Sequence, residues 1–107
     1  MVIDIYKITA DFPKHEIFGL SSQIQRAAVS VTSNIAEGFG RRTANERVRF
    51  YDIARASLAE LQNQLLIARD IKYLDQKKFT NLADQTTEVC KMLNGLINKT
   101  RSLDSSS

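Results

Sequence analysis

Five arginines fall within fifteen residues of this chain: Arg41, Arg42, Arg47, Arg49 and Arg55. Only Glu46 and Asp52 oppose them, so five charges less two leave +3 in the window, equal to the net charge of the whole chain. No lysine shares the window. A planar guanidinium presents a fork of donors that matches phosphate oxygens in pairs, which an ammonium cannot do. Arg41 and Arg42 stand just ahead of an expected helix start, where backbone N–H groups already favour an anion. Arg26 and Arg69 are placed to extend the surface. The pattern points to contact with the phosphate backbone of RNA or DNA. Nothing nearby matches a base-reading motif, so such contact would be backbone-directed and weakened by salt. The same residues also suit a solvated helix face. Glu46 lies three residues before Arg49 and Asp52 three before Arg55, and pairs at that spacing need no ligand.

Other chemistry finds little support. His15 is the single histidine and sits in an expected turn beside Glu16, with no nucleophile near it in sequence. The lone cysteine, Cys90, falls next to a core stripe and reads as a small hydrophobe. No Glu-x-x-His pair is present for di-iron chemistry, and Gly38-Phe39-Gly40 is too short for a phosphate loop. No catalytic, metal-binding or cofactor-binding residue is assigned, and the expected protein is not an enzyme.

A chain of 107 residues, 43% apolar and 25% charged, suits one modest domain. Four glycines and one proline favour long helices with short links. No apolar run is long enough for a membrane helix. The start, Met1 to Lys7, carries Asp4 in its apolar part and lacks the form of a signal peptide. With a single cysteine, these features predict a cytoplasmic location. A pI near 9.2 permits a polyanionic partner without demanding one.

Helical periodicity dominates. A first helix is predicted over about Val2 to Ala10, with Ile3, Tyr6 and Ala10 on its inner face, and Phe12-Pro13 ends it. Ile17, Phe18 and Leu20 are expected to plug one end of the core. A second helix opens on a Ser22–Gln25 capping box and buries Ile24, Ala27, Ala28, Val31 and Ile35. Arg26, Ser30, Ser33 and Glu37 form its polar stripe, and Gly38 is expected to close it. A third helix opens on Thr43 with Glu46 and runs to about Ile71 over the seam Tyr51, Ala54, Leu58, Leu61, Leu65 and Ala68. Phe50, Ile53, Ile67 and Ile71 widen its apolar surface enough for a second neighbour. Asp75 caps a fourth helix to about Arg101, with Phe79, Leu82, Thr86, Val89, Leu93 and Leu96 or Ile97 inward. The expected fold is all-α, an antiparallel up-and-down four-helix bundle with a short first helix. It spans residues 1–103, with 104–107 as a disordered tail.

The outer side of the second helix is small and half polar. Val29, Ser33, Asn34, Ala36 and Glu37 form a candidate oligomer interface, where small residues admit another helix and Asn34 and Glu37 can fix its register. Glu37 is equally placed to pair with a loop arginine.

The run QIQRAAVSVTSNIAEGFGRR, Gln23 to Arg42, resembles the signature of the four-helix bundle proteins encoded in intervening sequences of bacterial 23S ribosomal RNA genes, also labelled the S23 ribosomal protein family. FPKHEIFGL at Phe12 to Leu20 and ARASLAEL at Ala54 to Leu61 match it too, so the resemblance covers nearly the whole chain. It implies an antiparallel bundle that assembles as a homopentamer. A relative, the accessory variability determinant of diversity-generating retroelements, is a basic pentamer that associates with nucleic acid and a reverse transcriptase. The resemblance brings no catalytic residues. It departs at the N-terminus, where family members begin the first helix further upstream; a short first helix should leave one end of the core less covered.

The resulting expectation is a non-enzymatic homo-oligomer, a pentamer by resemblance, that binds RNA or DNA through Arg26, Arg41, Arg42, Arg47, Arg49 and Arg55. The alternative is a structural adaptor whose oligomer engages a protein such as a reverse transcriptase, without nucleic acid.

Overall fold

A computed structural model of the chain describes residues 1–105. Four helices follow one another, with no strand among the described residues: α1 (Val2–Thr9), then a short 3₁₀ turn (Lys14–Glu16), α2 (Leu20–Phe39), α3 (Ala44–Asp70) and α4 (Gln76–Ser105). They pack as an elongated all-α bundle of 52 × 24 × 18 Å. α2 and α3 form the tightest pair, α4 lies against α3, and α1 lies against α2. α1 also reaches α4, where Gln85 Nε2 donates to Asp4 Oδ2 at 2.9 Å. α1 and α3 therefore occupy opposite corners.

The core follows from the spacing of apolar residues on α3. Tyr51, Ala54, Leu58, Leu61, Leu65 and Ala68 are all buried, against Ile24, Ala27, Ala28 and Val31 of α2 and Leu82, Leu93 and Ile97 of α4. Each buried leucine or isoleucine contributes about 1.5–3 kcal/mol. Thr86 is buried among them because its hydroxyl is satisfied: it donates to Ala83 O at 2.8 Å and accepts from Gln62 Nε2 at 3.1 Å. Thr43 and Asp75 cap α3 and α4, with Thr43 Oγ1 accepting from Glu46 N at 3.2 Å and Asp75 Oδ1 from Lys78 N at 2.7 Å; of the reciprocal Thr43–Glu46 box expected, only the Thr43 half forms among the described residues.

Several local expectations are corrected. On α1 the buried residues are Ile5 and Thr9, while Ile3 is 71% and Tyr6 47% exposed. This short helix is apolar on most sides, so its own pattern does not select a face. The row Ile5–Thr9–Phe12 wins because it continues into the core and because Gln25 Nε2 donates to Thr9 Oγ1 at 2.9 Å. No Ser22–Gln25 box forms, because α2 already starts at Leu20 after Gly19, with no side-chain cap, and Ser22 lies inside its first turn. Ile17 and Phe18 do not plug the core. The 3₁₀ turn after Pro13 carries them outward, and Phe18 is 97% exposed. Phe12 and Leu74 close that end instead, with the Phe12 ring 5.4 Å from that of Tyr73. Ser30 leaves the polar stripe to meet Ser57 of α3, the two hydroxyls 2.7 Å apart. Cys90 is half-buried, 3.8 Å from the Asn94 amide that donates to it. α4 runs to Ser105, past the expected end and through the first two residues of the expected tail. The remaining two, 106 and 107, lie outside the described residues.

Gly38 has a different role from the expected one. α2 continues through it to Phe39, and no described glycine has a positive φ. A Cβ at Gly38 would stand 2.8 Å from Cδ1 of Tyr51 and closer still to Cε1. The glycine is needed for close approach of the ring. Left-handed backbone occurs instead at Lys72, φ 68°, where α3 ends. There Lys72 N bonds Arg69 O at 3.0 Å and Tyr73 N bonds Ala68 O at 2.9 Å, the paired closure of a Schellman turn. Equilibrium urea unfolding should show Gly38→Ala destabilised by about 1–3 kcal/mol through overpacking. Lys72→Gly should be stabilised by roughly 1 kcal/mol, because glycine adopts the left-handed conformation without a Cβ penalty.

Candidate nucleic-acid interface

The turn between α2 and α3 gathers most of the arginines at one end of the bundle. α2 ends with Gly40 N bonding Glu37 O and Arg41 N bonding Gly38 O. The Thr43 cap then starts α3, so Arg41 and Arg42 are held between two rigid helices. Arg41 Nη2 pairs with Glu37 Oε2 at 2.9 Å, and its guanidinium lies 4.5 Å from the centre of the Phe50 ring. Arg47 Nε donates to Arg41 O at 2.8 Å, which pins the turn from the α3 side. Arg41 and Arg49 border an open pocket of ≈ 330 Å³ with Glu46, Phe50 and Ile53.

Pairing divides these cations. Arg42 and Arg49 are exposed and have no acidic partner among the described residues. Arg55 is tied down, donating to Asp52 Oδ1 and to Asn94 Oδ1 of α4, both at 2.9 Å. The expected Asp52–Arg55 pair thus forms, and no Glu46–Arg49 pair does. Both observed arginine pairs at this end, Arg41–Glu37 and Arg55–Asp52, are solvent-exposed and each is worth under about 1 kcal/mol. A phosphate can therefore compete for Arg41 at small cost. Arg26 is exposed on α2 but lies fifteen residues before Arg41, roughly 22 Å along the helix axis. Arg69 sits at the far end of α3, paired with Asp70 and stacked 4.5 Å over Phe79. The structure so brings together Arg41, Arg42, Arg47 and Arg49, places Arg55 to one side, and separates Arg26 and Arg69.

The other candidate face also divides. Val29, Ser33, Ala36 and Glu37 are exposed on the outer side of α2. Asn34 is half-buried and turned back on its own helix, its Nδ2 donating to Ser30 O at 2.8 Å and Ser30 Oγ at 3.1 Å. Glu37 realises the pairing with a loop arginine that the sequence allowed.

A model of the family described as 23S rRNA-intervening sequence protein matches residues 1–95. The chain belongs to that family. Its fold is similar to the solved structure of a protein with unknown function from the S23 ribosomal protein family of Bacteroides thetaiotaomicron. The TM-score is 0.79 at 22% identity, over 90% of this chain and 87% of that one. No curated protein matches the chain. In this chain the motif that carries the family resemblance is also the segment that builds the arginine turn, Gln23 to Arg42.

Elsewhere the chemistry is sparse. Among the described residues, no group of three or more His, Cys, Asp and Glu could hold a metal ion, and no helix is long and apolar enough to cross a membrane. His15 is exposed, its Nε2 3.3 Å from the Tyr73 hydroxyl. Burial, with the charge and hydrogen bond of Glu16, pushes that hydroxyl above the ordinary tyrosine value. What the sequence reading missed is an apolar groove beside Phe39 and Met92, 62% and 71% exposed. Its signal was Met92, an apolar residue of α4 outside the core stripe and four residues before Leu96. Because Glu37 competes for Arg41, Glu37→Gln should elute from a heparin column at higher salt than the wild type.

Proposed function

We propose that this protein is a non-enzymatic, cytoplasmic homo-oligomer that binds RNA or another nucleic acid through the arginine turn of each copy, mainly by phosphate contacts. The observation that carries the reading is the unpaired state of Arg42 and Arg49 beside Arg41 and Arg47 at one end of the bundle. The turn that carries Arg41 and Arg42 is held between two helices, so its backbone is ordered before phosphates bind, and ordering the exposed side chains is the remaining cost. One copy offers few free charges. Several copies pool them, and each neutralised phosphate releases counterions. A ring of five, which the family resemblance implies, would present the turn five times over.

The adaptor reading has an observation of its own. Phe18 is 97% exposed and Ile3 and Met92 are each 71% exposed, more apolar surface than a phosphate-binding role requires. An oligomer of this chain that holds a protein such as a reverse transcriptase would use such surface.

RNA titrations separate the two. Wild-type affinity should fall steeply as salt rises, and Arg41→Glu with Arg42→Glu should lower it by roughly tenfold or more at moderate salt. Unchanged binding in the double variant would remove the arginine turn as the site. Absence of RNA binding by the wild type at physiological salt would favour the adaptor.

A further inference from the structure

A pocket of ≈ 330 Å³ opens beside the arginine turn, lined by Arg41, Glu46, Arg49, Phe50 and Ile53. Arg49, Phe50 and Ile53 follow Glu46 by three, four and seven residues, which puts all four in one row on one side of α3. Arg41 faces that row from the turn. Its guanidinium lies 4.5 Å over the Phe50 ring and is bonded at 2.9 Å by Glu37, so it is held on two sides while its side chain stays 43% exposed. Ligand pockets begin at about 300 Å³, so this one has room for a single flat group and little more.

A surface built only for phosphate has no use for Glu46. Its backbone N–H takes the Thr43 cap, but its carboxylate returns no bond to the cap and pairs with no cation among the described residues. The helix dipole favours a negative charge in this first turn, but does not require one on a pocket wall. Arg49 stands at a spacing where opposite charges commonly pair, yet it too has no acidic partner among the described residues. The two charges line one pocket without meeting. Together they offer an entering group two acceptor oxygens and a fork of N–H donors.

Among the nucleobases, guanine complements both charges. Its N1–H and N2 amino group are adjacent donors for the two oxygens of one carboxylate, and its O6 and N7 are the acceptors that an arginine fork binds. Adenine, cytosine and uracil each offer one donor with an acceptor beside it, and that acceptor would be set against Glu46. In a duplex these edges are paired, so only an unstacked base of a single strand presents them. The planar guanidinium of Arg41 gives such a base a face to stack on.

We propose that this pocket takes one unstacked guanine of a single strand. Glu46 accepts from N1–H and the N2 amino group, Arg49 donates to O6 and N7, and Arg41 stacks on the ring. Arg42, next in the turn, then meets an adjoining phosphate. The inference rests on the arginine turn as the nucleic-acid site, and adds to it a preference for one base.

Short uridine strands of one length that differ only at the central base test it by fluorescence anisotropy. The strand with guanine should bind about tenfold more tightly than those with uracil or adenine, adenine being the control for purine stacking. Hypoxanthine, which lacks only the N2 amino group, should lose most of that gain. Glu46→Ala removes the carboxylate and leaves the Thr43 cap, which uses the backbone N–H. This variant should show no preference among the strands, and should bind the all-uridine strand at least as tightly as the wild type does. Arg41→Glu with Arg42→Glu should instead weaken every strand. Guanosine monophosphate should compete with the guanine strand only at concentrations roughly a hundredfold higher, because it engages one phosphate instead of several. Competition at equal concentration would assign the pocket to a free nucleotide and overturn the proposal. Equal binding of all strands by the wild type, or a guanine preference that survives Glu46→Ala, would also overturn it. If the double arginine variant still weakens binding in that case, the arginine turn stands and only the base pocket falls. A wild type that binds no strand removes both.

Discussion

The close approach of α2 to α3 at Gly38 and Tyr51 sets the rest of the molecule. Tyr51 is buried because α2 leaves a gap the size of a side chain opposite its ring, and the edge of Phe39 meets that ring 6.0 Å away. Further along, Ala27, Ala28 and Ala54 keep the backbones close, and Ser30 and Ser57 join across the seam. Close packing of this kind admits one register only, since any slip drives the ring into a Cβ. The register in turn fixes where the chain reverses, and the reversal is the arginine turn. A packing constraint and a surface charge pattern are thus consequences of one segment, Ser30 to Arg42.

The electrostatics of that turn are graded rather than uniform. Arg55 is spent on Asp52 and Asn94, Arg47 holds the turn, and Arg41 shares Glu37 with the face of Phe50. Arg42 and Arg49 have no acidic partner among the described residues. A polyanion meeting the turn finds two guanidinium groups immediately and a third that it can take from an exposed carboxylate. That is modest for one chain, so the functional reading depends on several copies acting together.

The sequence made the bundle legible wherever one apolar row was much stronger than its rivals. The seam from Tyr51 to Ala68 and the caps at Thr43 and Asp75 are such cases. It was ambiguous where the choice lay with partners distant in sequence. Gln25 bonds Thr9 on the inner face of α1, and Ser22 with Gln25 does not cap α2 because the chain from Gly19 starts that helix earlier, at Leu20. Gly38 looked like a helix stop because glycine often is one, and only the ring of Tyr51 reveals its packing role. The arginines were legible as a cluster, and so were the pairs of Arg55 with Asp52 and of a loop arginine with Glu37, but not the bond of Arg55 to Asn94, thirty-nine residues away.

The proposed function combines apolar surface and charge: exposed faces would bring copies together, and assembly would multiply a small set of arginines that lack an acidic partner. The salt dependence of RNA affinity tests this most directly, measured on the wild type and on a variant unable to assemble. Two to three contacts on a single strand give a slope of log K against log salt of about −1.4 to −2.1. The account predicts that shallow slope for the non-assembling variant and one steeper than about −3 for the wild type, because pooled copies engage more phosphates. The same shallow slope in both proteins would contradict it.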